Sequence, residues 1–217
     1  MLAIVNYGLG NLTSIQNMCR RIGVEAQITS DAASIESADR LILPGVGHFK
    51  RGMENLHASG LKQLLDRLVL GEKRPILGIC LGAQLMTAHS EEGDTDGLGW
   101  VDADTIRFRD SAGIPAPGPG TPAAPGLNGL KIPHMGWREI NIKGENPLWT
   151  GLPEDPRFYF VHSYHFEFRQ QQEVTATTVY GYEFVCAFRK DNIFGTQFHP
   201  EKSHKFGMKV LENFSSL

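Results

Sequence analysis

Cysteine is scarce in this chain of 217 residues: there are three, at positions 19, 80 and 186. An odd, widely spaced set offers neither a disulfide framework nor the close cysteine pairs of a metal centre. The eight histidines show no ligand spacing with cysteines or acids beyond one pair taken up below, so neither a metal nor an organic cofactor is expected. Charge of one sign is also lacking. With 21 Lys and Arg against 24 Asp and Glu, the net charge is −3, and nothing suggests a nucleic-acid-binding surface. No apolar run approaches the length that crosses a bilayer, so no membrane partner is expected. The first residues, Met1-Leu2-Ala3-Ile4-Val5-Asn6, lack the basic start of a secretory signal. Unpaired thiols then fit a reducing, cytoplasmic compartment. The chain does contain 41% hydrophobic residues, enough for one domain over 1–217 with a full core.

The first half alternates short apolar runs with helical patterns. Strands are expected at 2–6, 25–29, 40–43 and 76–79. Helices are expected after Asn11 as N-cap, with Leu12, Ile15, Met18, Cys19 and Ile22 on one face, at 31–37, and at 49–70 with a break near Ser59-Gly60. Such alternation implies an α/β fold with a parallel sheet and helices on both faces. Reactive groups then belong at the carboxyl ends of the strands, where Pro44-Gly45-Val46-Gly47 and Cys80 fall. In the second half, 102–108, 138–142, 158–166, 174–180, 185–189 and 193–197 read as strands with short turns, so the open, twisted sheet is mixed though mainly parallel. A last helix is expected over about 203–214. Residues 111–130 hold five prolines and five glycines and read as a surface loop. The loop is either a tolerated insertion or a partner contact.

The most informative segment is Gly78-Ile79-Cys80-Leu81-Gly82-Ala83-Gln84, which follows Pro75-Ile76-Leu77 and precedes a helix-like stretch at 83–89. Gly-x-Cys-x-Gly at a strand-to-helix junction is the pattern of a nucleophile elbow, in which the reactive side chain stands out above the sheet edge. A helix N-terminus would favour the thiolate. Cys19 and Cys186 lie in amphipathic helix and strand patterns and read as buried small hydrophobes. Near the other end stands Phe198-His199-Pro200-Glu201. In an extended segment, His199 and Glu201 point the same way. His199 could exchange a proton with Cys80, and Glu201 could hold its imidazole in the right tautomer. Read alone, His-Pro-Glu could be surface decoration.

With Gly78-Ile79-Cys80-Leu81-Gly82-x-Gln84 upstream and His199-Pro200-Glu201 downstream, the chain resembles the class I, triad-type glutamine amidotransferases. Pro44-Gly45-Val46-Gly47, Pro133-His134-Met135-Gly136-Trp137, Tyr159-Phe160-Val161-His162-Ser163-Tyr164 and Phe198-His199-Pro200-Glu201-Lys202-Ser203 are similar to the glutaminase subunits of imidazole glycerol phosphate synthases. The resemblance spans the chain apart from 111–130. It implies that Cys80 forms a glutamyl thioester and releases ammonia, with His199 as base and acid and Glu201 as its partner. It implies that Gln84, Glu92, Ser163 and Tyr164 bind L-glutamine, although Glu92 read alone could be a solvated residue. Oxyanion donors would come from Leu81 and from the strand end Gly45, Val46 and Gly47. His134, Trp137, Tyr159 and Lys202 would face a (β/α)₈-barrel cyclase in a heterodimer with an ammonia channel. Trp137 could instead be core.

Alternatives remain at this point. One is a paralogous glutaminase supplying ammonia to a sugar amidotransferase of surface-polysaccharide biosynthesis. The second histidine of His162-Ser163-Tyr164-His165-Phe166 and the basic run Lys202-Ser203-His204-Lys205 leave that option open. A stand-alone Cys-elbow hydrolase and a non-catalytic scaffold are the others.

Overall fold

The structure is a computed structural model that describes residues 1–109 and 131–217; the segment 111–130 read above as a surface loop lies outside them. The first half follows the expected alternation within a residue or so at each boundary. In order come β1 (Leu2–Val5), α1 (Leu12–Arg21), β2 (Ala26–Thr29), α2 (Ala32–Glu36), β3 (Arg40–Leu43), α3 (Phe49–Ala58), α4 (Leu61–Asp66) and β4 (Ile76–Ile79). The long helical pattern does break at Ser59-Gly60. Asn11 occupies the N-cap of α1 without making a side-chain capping bond, whereas Asp31 caps α2 by accepting from the Ser34 N–H at 2.8 Å.

Alternate residues of a strand face opposite sides of a sheet, and here both sides are covered. Ala3, Val5, Leu41, Leu43 and Ile76 pack with Ile35, Phe49, Met53 and Leu61 on one face. Leu2, Ile4, Ile42, Leu77 and Ile79 pack with Ile15, Met18, Val210 and Phe214 on the other. That is why these strands read as continuous apolar runs rather than alternating ones.

The helix expected at 83–89 is much shorter: α5 spans only Leu81–Gln84, and His89 already belongs to β5 (His89–Ser90). The carbonyls that would propagate the helix are taken by a distant segment. Leu85, Met86 and Thr87 accept from the N–H groups of Leu98, Trp100 and Gly99 at 2.8, 2.9 and 3.0 Å.

The second half contains β6 (Thr95–Asp96), β7 (Ala103–Arg107), β8 (His134–Glu139), β9 (Asn141–Ile142), β10 (Arg157–His162), β11 (Tyr164–Phe168), β12 (Val174–Tyr180), β13 (Tyr182–Lys190), β14 (Ile193–Thr196) and α6 (His204–Ser215). The strand expected at 158–166 is two strands. The chain changes sheets at Ser163: β10 pairs with β8 in a separate two-stranded sheet, and β11 pairs with β7 in the large one. No glycine or proline marks that step, so the sequence pattern runs through it. The expected strand at 138–142 is likewise the end of β8 followed by β9.

The large sheet has the order β2-β1-β3-β4-β14-β13-β11-β7-β5-β6, with β12 and β9 continuing from β13. Strands β2, β1, β3, β4 and β14 are mutually parallel, and β14 to β13 to β11 to β7 is antiparallel, which makes the sheet mixed. Because β3, β4 and β14 are parallel neighbours, the segments that leave their carboxyl ends converge. Those segments are Pro44-Gly45-Val46-Gly47, the Cys80 turn and Gln197-Phe198-His199.

Candidate active site

Cys80 sits at the turn between β4 and α5 with φ +52° and ψ −111°, a conformation rare for any residue but glycine. Holding a non-glycine residue there costs on the order of 1–3 kcal/mol. Two hydrogen bonds enforce it: Cys80 N–H donates to Thr196 O at 2.8 Å, and Gln84 N–H donates to Cys80 O at 3.0 Å. The flanking glycines serve close approach rather than backbone freedom. A Cβ on Gly78 would lie 2.6 Å from Ala83 Cα, and one on Gly82 would lie 1.8 Å from Leu43 O. The side chain is thereby aimed off the sheet edge.

His199 is fully buried, and its Nδ1 lies 2.7 Å from Glu201 Oε1. The pairing was expected from an extended backbone, yet Pro200–Lys202 is a turn of 3₁₀-helix. The segment is fixed by other means. His199 N–H donates to Tyr159 O at 2.9 Å, and the Ser203 hydroxyl donates to His199 O at 2.6 Å while accepting from Tyr159 N–H at 3.0 Å. Burial works against a charged ring, but its contacts with the Cys80 sulfur and the Glu201 carboxylate outweigh it and raise His199 to about 10. Nε2, on the Cys80 side of the ring, has no partner of proper hydrogen-bond geometry. The coupling between ring and sulfur is therefore mainly electrostatic in this state.

Cys80 and His199 share a cavity of about 250 Å³ with Val46, Gly47, Leu81, Gln84, Glu92, Pro133, Val161, His162, Ser163 and Tyr164. Three larger hollows, about 540 Å³ beside His165 and Tyr182, about 670 Å³ beside Trp149 and about 460 Å³ beside Trp137 and Arg157, are lined by no cysteine. Gln84 is 95% buried, and its amide donates to Tyr164 O and to Gln197 Oε1, each at 3.1 Å. Glu92 is half-buried rather than solvated. Burial raises its carboxyl, partly offset by the Phe49 N–H that it accepts at 2.7 Å and by the charges of His48 and Arg107. Leu81 opens α5, where a helix leaves its first N–H groups without intrahelical acceptors. Of the strand end after β3, Val46 and Gly47 reach the cavity, whereas Gly45 is turned toward Gly82 N and Tyr7 Oη. Tyr7 holds that segment by donating to Pro44 O at 2.7 Å.

A pair of neutral histidines runs from the cavity wall inward, His162 in the wall and His134 behind it. His162 Nδ1 is 2.6 Å from Tyr164 O, which can only accept, so this nitrogen carries the proton. His162 Nε2 then accepts from His134 Nδ1 at 3.0 Å. Burial lowers both rings, His134 to about 4, and each also feels its charged neighbours. His134, expected at a partner-facing surface, is wholly buried and stacks on Tyr180 and Phe160. The expectation fails for this side chain because β8 turns it inward. His165 is a core histidine whose ring bonds Phe166 O and the Tyr182 hydroxyl.

The other three residues of that group do share a surface. Trp137 and Tyr159 are cross-strand partners, Lys202 Nζ stands 5.7 Å over the Tyr159 ring, and Trp137, 39% exposed, stacks on His204. Cys19 and Cys186 are buried, and burial raises both thiols, Cys19 to about 11. His162, whose backbone was expected beside Ser163 and Tyr164 at the pocket, does line it, whereas Val161 and Gln197 escaped the sequence reading as site residues, since no local pattern ties them to Cys80. No group of His, Cys, Asp and Glu among the described residues could hold a metal ion, and no described helix is long and apolar enough to cross a membrane.

A cysteine elbow on a central parallel strand thus shares its cavity with a histidine that follows the adjacent strand and is paired with an acid, an arrangement suited to thiol-based acyl transfer. The class-I glutamine amidotransferase family matches residues 3–216, and the chain belongs to it. More particularly, it is 49% identical over 214 residues to the imidazole glycerol phosphate synthase subunit HisH 2 of Methanococcus maripaludis, covering 99% of this chain and 98% of the relative. It is 42% identical to the HisH 2 subunit of Pseudomonas aeruginosa with both chains fully covered. Among solved structures, a glutamine amidotransferase from Thermotoga maritima shares the fold. Its TM-score is 0.58 at 20% identity, over 99% of this chain and 81% of that one.

Proposed function

We propose that this chain is the glutaminase subunit of an imidazole glycerol phosphate synthase, acting in histidine biosynthesis in the cytoplasm. The observation that carries the reading is the 250 Å³ cavity in which Cys80, His199, Gln84 and Glu92 meet, within a chain so similar over its full length to HisH subunits. The Cys80 sulfur attacks the side-chain carboxamide carbon of L-glutamine. The oxyanion that forms is held by the Leu81 N–H and by an amide of the Val46-Gly47 segment. His199, charged at neutral pH because its value is raised to about 10, gives its proton to the amide nitrogen. The C–N bond breaks and ammonia leaves. Water, deprotonated by the now neutral His199, then attacks the thioester carbon, and glutamate departs as the thiolate is restored. Glu201 keeps the imidazole oriented throughout. Glu92 receives the substrate ammonium, while Ser163 and Tyr164 line the side of the reacting amide.

Ammonia released to water protonates and loses its nucleophilicity, so the site works under a partner. The exposed Trp137 and Lys202, with the half-buried Tyr159 between them, offer the surface for a (β/α)₈-barrel cyclase that consumes the ammonia. A second reading, a glutaminase serving a sugar amidotransferase, is favoured by one observation. In Methanococcus maripaludis two relatives, numbered HisH 1 and HisH 2, both match this chain, at 41% and 49% identity. The deciding experiment is glutamate release from L-glutamine with and without the cognate cyclase and its nucleotide ligand. Strong stimulation supports the histidine-pathway role, and activity indifferent to the cyclase supports the second reading. Cys80→Ala should abolish glutamate release and leave cyclase binding intact; unchanged release would refute the nucleophile.

A further inference from the structure

Gln197 is wholly buried at the end of β14, two residues before His199. Its amide lies between two groups of the site: Oε1 is 3.1 Å from Gln84 Nε2, and Nε2 is 3.7 Å from Cys80 Sγ. Either amide could in principle be flipped, but a fixed point settles both. Tyr164 O, 3.1 Å from the Gln84 amide, is a backbone carbonyl and can only accept. Gln84 therefore presents its NH₂ group on that side. The same nitrogen meets Gln197, which must answer with its carbonyl. What remains to face the sulfur is the Gln197 NH₂. The chain of donors runs in one direction and ends at the reacting atom.

Besides the His199 ring, whose charge favours the thiolate from the other side, the near group at the sulfur is the Val161 carbonyl, 3.9 Å away. It can accept from a thiol S–H but opposes a thiolate. Gln197 has the reverse preference, since an N–H donor bonds an ionised sulfur more strongly than a neutral one. We propose that Gln197 is a further catalytic residue: its side-chain amide donates to the Cys80 sulfur, favours the thiolate over the thiol, and is itself held in that orientation by Gln84. Occupancy of the glutamine pocket and ionisation of the nucleophile are thereby linked through one pair of amides. This inference rests on Cys80 being the nucleophile.

The test reads thiol ionisation without turnover. The rate of iodoacetamide alkylation of Cys80 is followed against pH in the full chain, with the modified peptide identified by mass spectrometry. All three thiols are buried, but Cys80 lines the cavity and is reached through it, whereas Cys19 and Cys186 line none and stay silent. Gln197→Met keeps the length and removes the donor. Gln197→Glu keeps the volume and the acceptor for Gln84 but turns an oxygen toward the sulfur. In both variants the alkylation midpoint should move upward, and the rate at neutral pH should fall about tenfold, a typical worth for one hydrogen bond to a charged group. Circular dichroism establishes that each variant is folded. A profile in either folded variant that superimposes on the parent's overturns the inference. A parent Cys80 that reacts no faster than a free thiol overturns the nucleophile assignment itself, so the two failures are told apart.

Discussion

The charge coupling between Cys80 and His199 can be measured directly. Cys80→Ser replaces the ionisable sulfur by a hydroxyl that stays neutral. His199 is raised from 6.5 to about 10 although burial of the ring acts in the opposite direction. That rise corresponds to roughly 5 kcal/mol in favour of the imidazolium, supplied by the Cys80 and Glu201 contacts together. Removal of one opposite charge at this range lowers a pKa by about 1–3. In the serine variant, Glu201 remains and burial is unopposed by sulfur. His199 should therefore titrate lower by about that amount, followed by NMR of ¹³C-labelled histidine and assigned with His199→Gln. Stability follows the same sign. A histidine whose folded value lies above its unfolded one stabilises the fold in full below about 6.5, and that contribution disappears as the pH rises through about 10. A ring that still titrates near 10 in the variant would refute the reasoning.

Three further outcomes are expected. Gly82→Ala places a Cβ 1.8 Å from the Leu43 carbonyl, a backbone atom that cannot swing away; it should cost about 3 kcal/mol or more in urea unfolding, and a cost below about 1 kcal/mol would contradict the packing described. The buried neutral pair behaves in the opposite sense to His199: His134 is lowered to about 4, so its contribution is complete above 6.5 and is lost as the pH falls through about 4. His134→Gln should accordingly flatten the acid limb of the stability profile, and an acid limb parallel to the parent's would count against a neutral ring. Trp137→Ala should weaken cyclase binding by about 2 kcal/mol, the scale of an aromatic anchor at an interface, as read by calorimetry; an unchanged Kd would remove Trp137 from the docking face.

The strained cysteine and the buried histidines belong to one design. A non-glycine residue at φ +52° persists because Thr196 and Gln84 bond its backbone on both sides. The wall opposite is stiffened from behind, since Tyr164 O accepts from both Gln84 and His162. The nucleophile and the pocket edge are thus tied through the same carbonyl.

The sequence alone determined the parallel half of the sheet, because strands buried on both faces must be apolar at every position, and Leu2–Val5, Arg40–Leu43 and Ile76–Ile79 are nearly so. It also determined the elbow. Glycines at 78 and 82 leave a local mark wherever backbone approaches backbone. Tertiary structure decided what distant partners supply. The helix after Cys80 stops at Gln84 because residues 98–100 capture its carbonyls, and the strand pattern at 158–166 divides at Ser163 because two different sheets claim its halves. His134 looked like a surface residue within its motif and is buried by the register of β8 on β10. Gln197 carries no signal in its neighbours: its amide gains a role only because β14 lies parallel to β4 and brings it within 3.7 Å of a sulfur 117 residues earlier in the chain. Local sequence records the steric demands of a turn and the apolar demand of burial, whereas a hydrogen bond between remote strands exists only once the sheet has brought them together.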